Sequence, residues 1–176
     1  MTTTRWMSPS LAVLIGLSLA VTAGRAEPKT REKIDLPEPV QKTFKAKFPK
    51  AEIEKVEVEE EDGVTVYDIE FTEGDVEKET DITADGIMLE FTIVIDAKSV
   101  PAPAMKVIEK VAEGAKMKRI ERVEISYETK DGKAVKLPKP VTRYAVEMTK
   151  GDKTAEIVVD PDGKVVESPQ WEEKAK

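Results

Sequence analysis

The stretch Val64 to Glu90, VTVYDIEFTEGDVEKETDITADGIMLE, alternates apolar and polar residues and is broken by turn-forming pairs. Period-two alternation places one set of side chains on a buried face and the other in solvent, the mark of a half-buried antiparallel sheet. Tyr67, Ile69 and Phe71 share one face, with Asp68 and Glu70 on the other. Val64 and Val66 have the opposite parity, which predicts a bulge near Val66. Beyond the Glu73-Gly74-Asp75 turn, Thr80 and Ile82 oppose Glu77, Glu79 and Asp81, and Asp85-Gly86 leads into the alternation Ile87, Leu89, Phe91, Ile93, Ile95.

A weaker copy occupies Val141 to Glu167, VTRYAVEMTKGDKTAEIVVDPDGKVVE. Tyr144, Val146 and Met148 repeat Tyr67, Ile69 and Phe71, and Asp162-Gly163 repeats Asp85-Gly86 at the same offset. Each copy is preceded by a Pro-x-Pro opening, Leu36-Pro37-Glu38-Pro39 and Val100-Pro101-Ala102-Pro103, and then by helical spacing. Val40, Phe44 and Phe48 form one stripe ended by Pro49; Ala104, Val107, Ile108, Val111, Ala112 and Ala115 form the other, with Gly114 at its exit. A short lysine-rich helix is marginal alone, so each is predicted to lie on a sheet. Val56-x-Val58 and Val123-x-Ile125 supply one more strand per copy. The shared order predicts an α+β tandem repeat, each unit an amphipathic helix packed on a 3–4-stranded antiparallel sheet. The repeats span 36–98 and 99–168, with Lys133 to Pro140 as a proline-containing loop and a polar, frayed tail at 169–176 anchored by Trp171.

Arg5, the apolar run Leu11 to Val21 and the small-x-small site Gly24-Arg25-Ala26 follow the order of a secretory signal peptide. Residues 1–26 are read as that signal, cleaved after Ala26 with Ala23 as the alternative, and 27–35 as a flexible lead-in. An uncleaved anchor through Trp6 to Gly24 is the competing reading. No later stretch is long and apolar enough to span a bilayer, so no membrane insertion is expected after cleavage, and a periplasmic or extracellular location follows.

The net charge of −7 disfavours binding to a phosphate backbone, which needs clustered basic surface, so no nucleic-acid partner is expected. The chain has no cysteine and no histidine. Disulfides, thiolate nucleophiles, histidine acid–base catalysis and histidine metal sites are therefore excluded, as is a lipid anchor on cysteine. The acidic run Glu57 to Asp62 offers oxygen ligands for calcium but reads as a solvated strand edge and turn. Asp160-Pro161-Asp162-Gly163 with Glu167 lacks the ligand spacing of a calcium loop and fits a tight turn. Asp68 and Glu70 are expected to face solvent with ordinary pKa values, and Tyr67 and Tyr144 to pack in the core. No catalytic, cofactor or metal residue is assigned.

The chain resembles the PepSY-like periplasmic proteins, whose folds are related to the β-lactamase-inhibitor protein. The resemblance rests on the helix opening at Leu36-Pro37, Val56-x-Val58, Tyr67-x-Ile69-x-Phe71 and Ile82-x-x-Asp85-Gly86-x-x-Leu89. Val123-x-Ile125, Tyr144-x-Val146-x-Met148 and Val159-Asp160-x-Asp162-Gly163-x-Val165 carry it in the second copy, so it runs from Leu36 to Glu167. It implies an exported, non-enzymatic α+β module that restrains peptidases or binds other extracytoplasmic proteins; no catalytic residues carry over. The expected function is binding or inhibition of such a protein, with a small-ligand or calcium sensor of the envelope as the alternative. The candidate partner surface is the polar parity of the strands, Asp68, Glu70, Arg143 and Glu147, with the loops around Gly63 and Lys133 to Pro140.

Overall fold

The computed structural model describes residues 36–173. The proposed signal peptide at 1–26 with its cleavage site at Ala26, the lead-in at 27–35 and the end of the tail lie outside the described residues.

Helix α1 (Glu38–Lys47) starts behind Pro37 with Pro39 in its first turn, where a fixed φ and a missing N–H cost nothing. Four strands follow: β1 (Glu52–Glu61), β2 (Val64–Glu73), β3 (Val76–Thr83) and β4 (Met88–Val94). A 3₁₀ turn (Ala97–Ser99) then leads into α2 (Ala102–Val111), which has Pro103 in its first turn. The chain continues through β5 (Lys116–Lys130), β6 (Lys133–Lys150), β7 (Lys153–Val159), β8 (Val165–Glu167) and β9 (Glu172–Glu173).

The architecture corrects the predicted tandem repeat. The strands form one 9-stranded sheet in the order β1 to β8, with β9 paired to β7, and all pairings are antiparallel. The junction is β4 on β5, running from Glu90 opposite Ile125 to Val94 opposite Glu121. Two separate small sheets would each leave an unpaired edge there; joining them satisfies both rows of backbone groups. The duplicated pattern is thus a local signature inside a single sheet, not a pair of self-contained units.

Both helices lie on the same face and cover two cores. Val40 and Phe44 of α1 pack on Ile69, Phe71 and Ile82 with Phe48 and Phe91 beside them. All four phenylalanines of the chain meet there, with ring centroids 4.5–5.4 Å apart. The second core is aliphatic, with Ala104, Ile108 and Ala112 on Ile120, Val146, Met148, Ile157 and Val159. Tyr144 is buried in this core, and Tyr67 packs against the first. The Asp-Gly turns dock on the helix starts. A Cβ on Gly86 would lie 2.9 Å from the Pro39 carbonyl oxygen, and one on Gly163 only 2.6 Å from that of Pro103, both at positive φ. Close approach and left-handed backbone together explain why this pair recurs.

Three further expectations are corrected. No bulge occurs at Val66, which pairs regularly with Glu59 and Thr83; the irregularities among β1 to β4 fall at Ile53/Lys55 and Asp81/Ile82. Val66 is simply buried on the face away from the helices, at 1 % exposure and outside both helix-covered cores. Lys133 to Pro140 is not a loop but the first part of β6. Pairing stops at Tyr127 opposite Lys136 and resumes at Ile125 opposite Val141, so four residues bulge against Ser126. Pro138 and Pro140 cannot donate to the ladder, which places the bulge there. The tail is also tied down in part, since Glu172 and Glu173 pair with Thr154 and Lys153.

The wide bulge lets the β5–β6 hairpin bend until its tip meets the tip of β1–β2. The Gly132 N–H donates to the Asp62 carbonyl at 2.8 Å, and Thr129 reaches Glu61. With β3 and β4 lying between these hairpins, the sheet has to curl. The helix-free face buries Val66, Asp68, Asp81, Thr92 and Ile125 without any helix over it.

Candidate functional site: a carboxylate row on the helix-free face

Two tight hairpins fix which side chains stand beside each other. The two-residue turn Asp62-Gly63 sets Glu61 opposite Val64, and therefore Glu57 opposite Asp68 and Lys55 opposite Glu70. The turn at Gly74-Asp75 sets Glu73 opposite Val76, and therefore Asp68 opposite Asp81 and Glu70 opposite Glu79. Asp81 in turn faces Glu90. Four adjacent strands thus carry Glu57, Asp68, Asp81 and Glu90 in one line, at a strand spacing of roughly 4.8 Å. Like charges directly opposite one another are destabilising, so the row calls for positive charge or protons.

At the β1 end, positive charge is present. Lys55 Nζ lies 2.9 Å from Glu57 and 3.0 Å from Glu70. Further in, Arg119 pairs with Glu77 and Glu121. Carboxylate oxygens of Asp68, Glu79 and Asp81 all lie within 4.8 Å of one another, as do those of Glu57, Asp68 and Glu70. Asp68 is 3 % exposed and Asp81 6 %. Among the described residues, Asp68 Oδ1 is fully buried and has no hydrogen-bond partner.

Burial and mutual repulsion hold these groups toward the protonated form. Burial, then the charges of Glu70 and Glu57, raise Asp68 to about 7, against the pull of Lys55. Burial and the Asp68 and Glu121 carboxylates raise Glu79 to about 9. Asp81 is pushed well above the usual carboxylate range by burial and by Glu90 and Asp68, and Glu90 to about 8 by burial and by Glu61 and Asp68. Glu156 on β7 reaches about 7 through burial and its neighbours Glu121, Glu167 and Glu147.

The four residues singled out from sequence all sit on this face, but not together. Asp68 and Glu70 belong to the row. Arg143 lies opposite Val123 on β6, four strands from β2, and its guanidinium donates to the Thr142 carbonyl at 3.3 Å. Glu147, opposite Arg119 and Glu156, accepts from Thr154 Oγ1 at 3.4 Å. The expectation that Asp68 faces solvent with an ordinary pKa is overturned, because the curl of the sheet buries it. Glu79 and Asp81 were read only as polar parity and Glu90 was not singled out; two-residue hairpin register was the signal that would have aligned Glu79 and Asp81 with Glu70 and Asp68. The tips at Gly63 and Gly132 close the sheet on each other. Asp160 behaves as a turn residue, its Oδ1 accepting from the Asp162 and Lys164 N–H groups at 3.0 and 2.8 Å.

Residues 32–89 and 65–137 match the model of the beta-lactamase-inhibitor-like, PepSY-like family. The chain belongs to the PepSY-like family. Solved structures share the fold of this PepSY-like chain. A DUF2874 family protein from Bacteroides ovatus superposes with a TM-score of 0.57 at 16 % identity, over 78 % of this chain and 89 % of that one. A candidate periplasmic protein from Bacteroides eggerthii gives 0.58 at 15 % identity, over 78 % and 90 %. A BLIP-like protein from Bacteroides fragilis gives 0.53 at 14 % identity, over 82 % and 92 %. No curated protein matches the PepSY-like sequence. Among the described residues no helix is long and apolar enough to cross a membrane.

Proposed function

We propose that this PepSY-like protein is an exported, non-catalytic binding module that receives a basic segment of another extracytoplasmic protein, a peptidase being the leading class, on the helix-free face of its sheet. The observation that carries the reading is the acidity of this face, where the part-exposed carboxylates Glu57, Glu70, Glu90 and, further along, Glu147 stand beside the buried pair Asp68 and Asp81. A curled, hydrogen-bonded sheet offers this surface preformed, so little ordering cost attends binding. Lysine or arginine side chains of a partner would relieve the repulsion along the row, which also makes association salt-dependent. The inhibitor-like family description and the BLIP-like neighbour favour a protein-binding role over catalysis. Fold kinship alone does not name the partner.

The test is capture from envelope extract by the purified protein, by the variant Glu70→Lys with Glu147→Lys, and by Glu109→Lys on α2. Recovery of one species by wild type and the α2 variant, with loss in the double variant and at high salt, supports the reading. Equal capture by all three proteins, or none by wild type, overturns it.

A further inference from the structure

We propose that the inner triad Asp68, Glu79 and Asp81 is a binding site for one hard divalent cation, calcium. The site is independent of any protein partner and uses different residues from the acidic run Glu57 to Asp62 and the turn at Asp160.

A calcium ion holds oxygen ligands at about 2.3–2.6 Å, so two ligands on opposite sides of one ion stand about 4.8 Å apart. Oxygens of the three carboxylates all lie within 4.8 Å of one another, so one ion can touch all three. The positions are fixed by the sheet. Asp68 and Asp81 are direct cross-strand partners, and Glu79 stands two residues before Asp81 on the same face of β3.

The second observation is the unpartnered Asp68 Oδ1, in a residue 97 % removed from solvent. A buried carboxylate oxygen without a donor is costly, and native proteins rarely leave one so. The outer triad, Glu57, Asp68 and Glu70, shows how the same fold meets this demand when it can. There Lys55 sits between Glu57 and Glu70. Arg119 pairs with Glu77 and Glu121. Among the described residues no lysine or arginine lies at ion-pair distance from Asp68, Glu79 or Asp81, which leaves the inner triad as the position where a soluble cation completes the charge balance.

The ligand chemistry selects the ion. All donors are carboxylate oxygens, and the chain has no histidine or cysteine, so zinc and the softer metals are disfavoured. Magnesium demands a near-ideal octahedron at about 2.1 Å and gives up its water reluctantly. Three carboxylates on pleated strands, able to bind through one or both oxygens, suit calcium better.

The test is calorimetric titration of calcium chloride into chelator-stripped purified protein at neutral pH, with thermal unfolding in parallel. One ion per chain is expected, with a Kd of about 10⁻⁴ M or tighter and a higher Tm in calcium. Asp68→Asn and Glu79→Gln should each weaken binding by at least about tenfold, with an unchanged far-ultraviolet circular dichroism spectrum. Glu109→Gln on α2 should bind as wild type does. If Asp68→Asn does not fold, Glu79→Gln, at a partly exposed position, decides. No saturable heat and no Tm shift, undiminished binding by Glu79→Gln, or magnesium binding as tightly as calcium would overturn the proposal.

Discussion

Replacing Asp68 by asparagine should stabilise the cation-free protein at pH 8 and leave it nearly unchanged at pH 3. Asp68 carries an ordinary value of 3.8 in the unfolded chain and about 7 in the folded one. The folded pKa is raised, so the folded state keeps its proton to higher pH than the unfolded state does. Stability is therefore present in full below about pH 4 and is lost as pH rises toward about 7. At about 1.4 kcal/mol per pH unit, the ionisable carboxyl costs the fold roughly 1.7 kcal/mol at pH 5 and at most roughly 4 kcal/mol at pH 8. Glu79, Asp81 and Glu90 take up protons together with Asp68, so one substitution relieves only part of the repulsion. A gain of about 2 kcal/mol is expected, or roughly 4–8 °C in Tm for a chain of this size. The assay is thermal unfolding of wild type and Asp68→Asn at pH 3, 5 and 8 with a chelator present. A variant less stable than wild type at pH 8, or a difference that does not grow with pH, would mean that burial of Asp68 does not hold it protonated.

Two other perturbations probe the scaffold. Phe71, 1 % exposed and in contact with Phe44 and Phe48, should cost about 3–5 kcal/mol on truncation to alanine, read by denaturant unfolding with an unchanged m-value. Gly163→Ala forces a Cβ to within 2.6 Å of the Pro103 carbonyl oxygen at φ +85°, so a loss well above about 1 kcal/mol is expected, whereas Gly74→Ala meets nothing within 4 Å and should lose less.

Much of the scaffold was legible in the sequence because local chemistry decided it. Pro37 and Pro39 opened α1, Phe44 and Phe48 lay on its buried side, and the Asp-Gly turns needed the backbone that glycine permits. What misled was the duplication. Two similar stretches suggest two units, while the pairing of Glu90–Val94 with Glu121–Ile125 is long-range and has no local signature. The site was legible in register and hidden in environment. Turns at Asp62-Gly63 and Gly74-Asp75 are enough to set Glu57, Asp68 and Asp81 in line. Their burial depends on the bulge at Leu137 to Pro140 and the meeting of Gly132 with Asp62, which join residues far apart in the chain. Asp68 therefore read as a solvent-facing strand residue, although it is 3 % exposed.

Among the described residues Asp68, Glu79 and Asp81 of the helix-free face lie together and make no ion pair. Carbon-13 titration of the aspartate and glutamate side-chain carboxyls, without and with calcium, measures this directly. In the cation-free protein Asp68, Glu79 and Glu90 should titrate above pH 6 and Asp81 well above the usual carboxylate range, and calcium should move Asp68, Glu79 and Asp81 downward. Titration of all four near pH 4 without calcium, and no movement with it, would contradict the account.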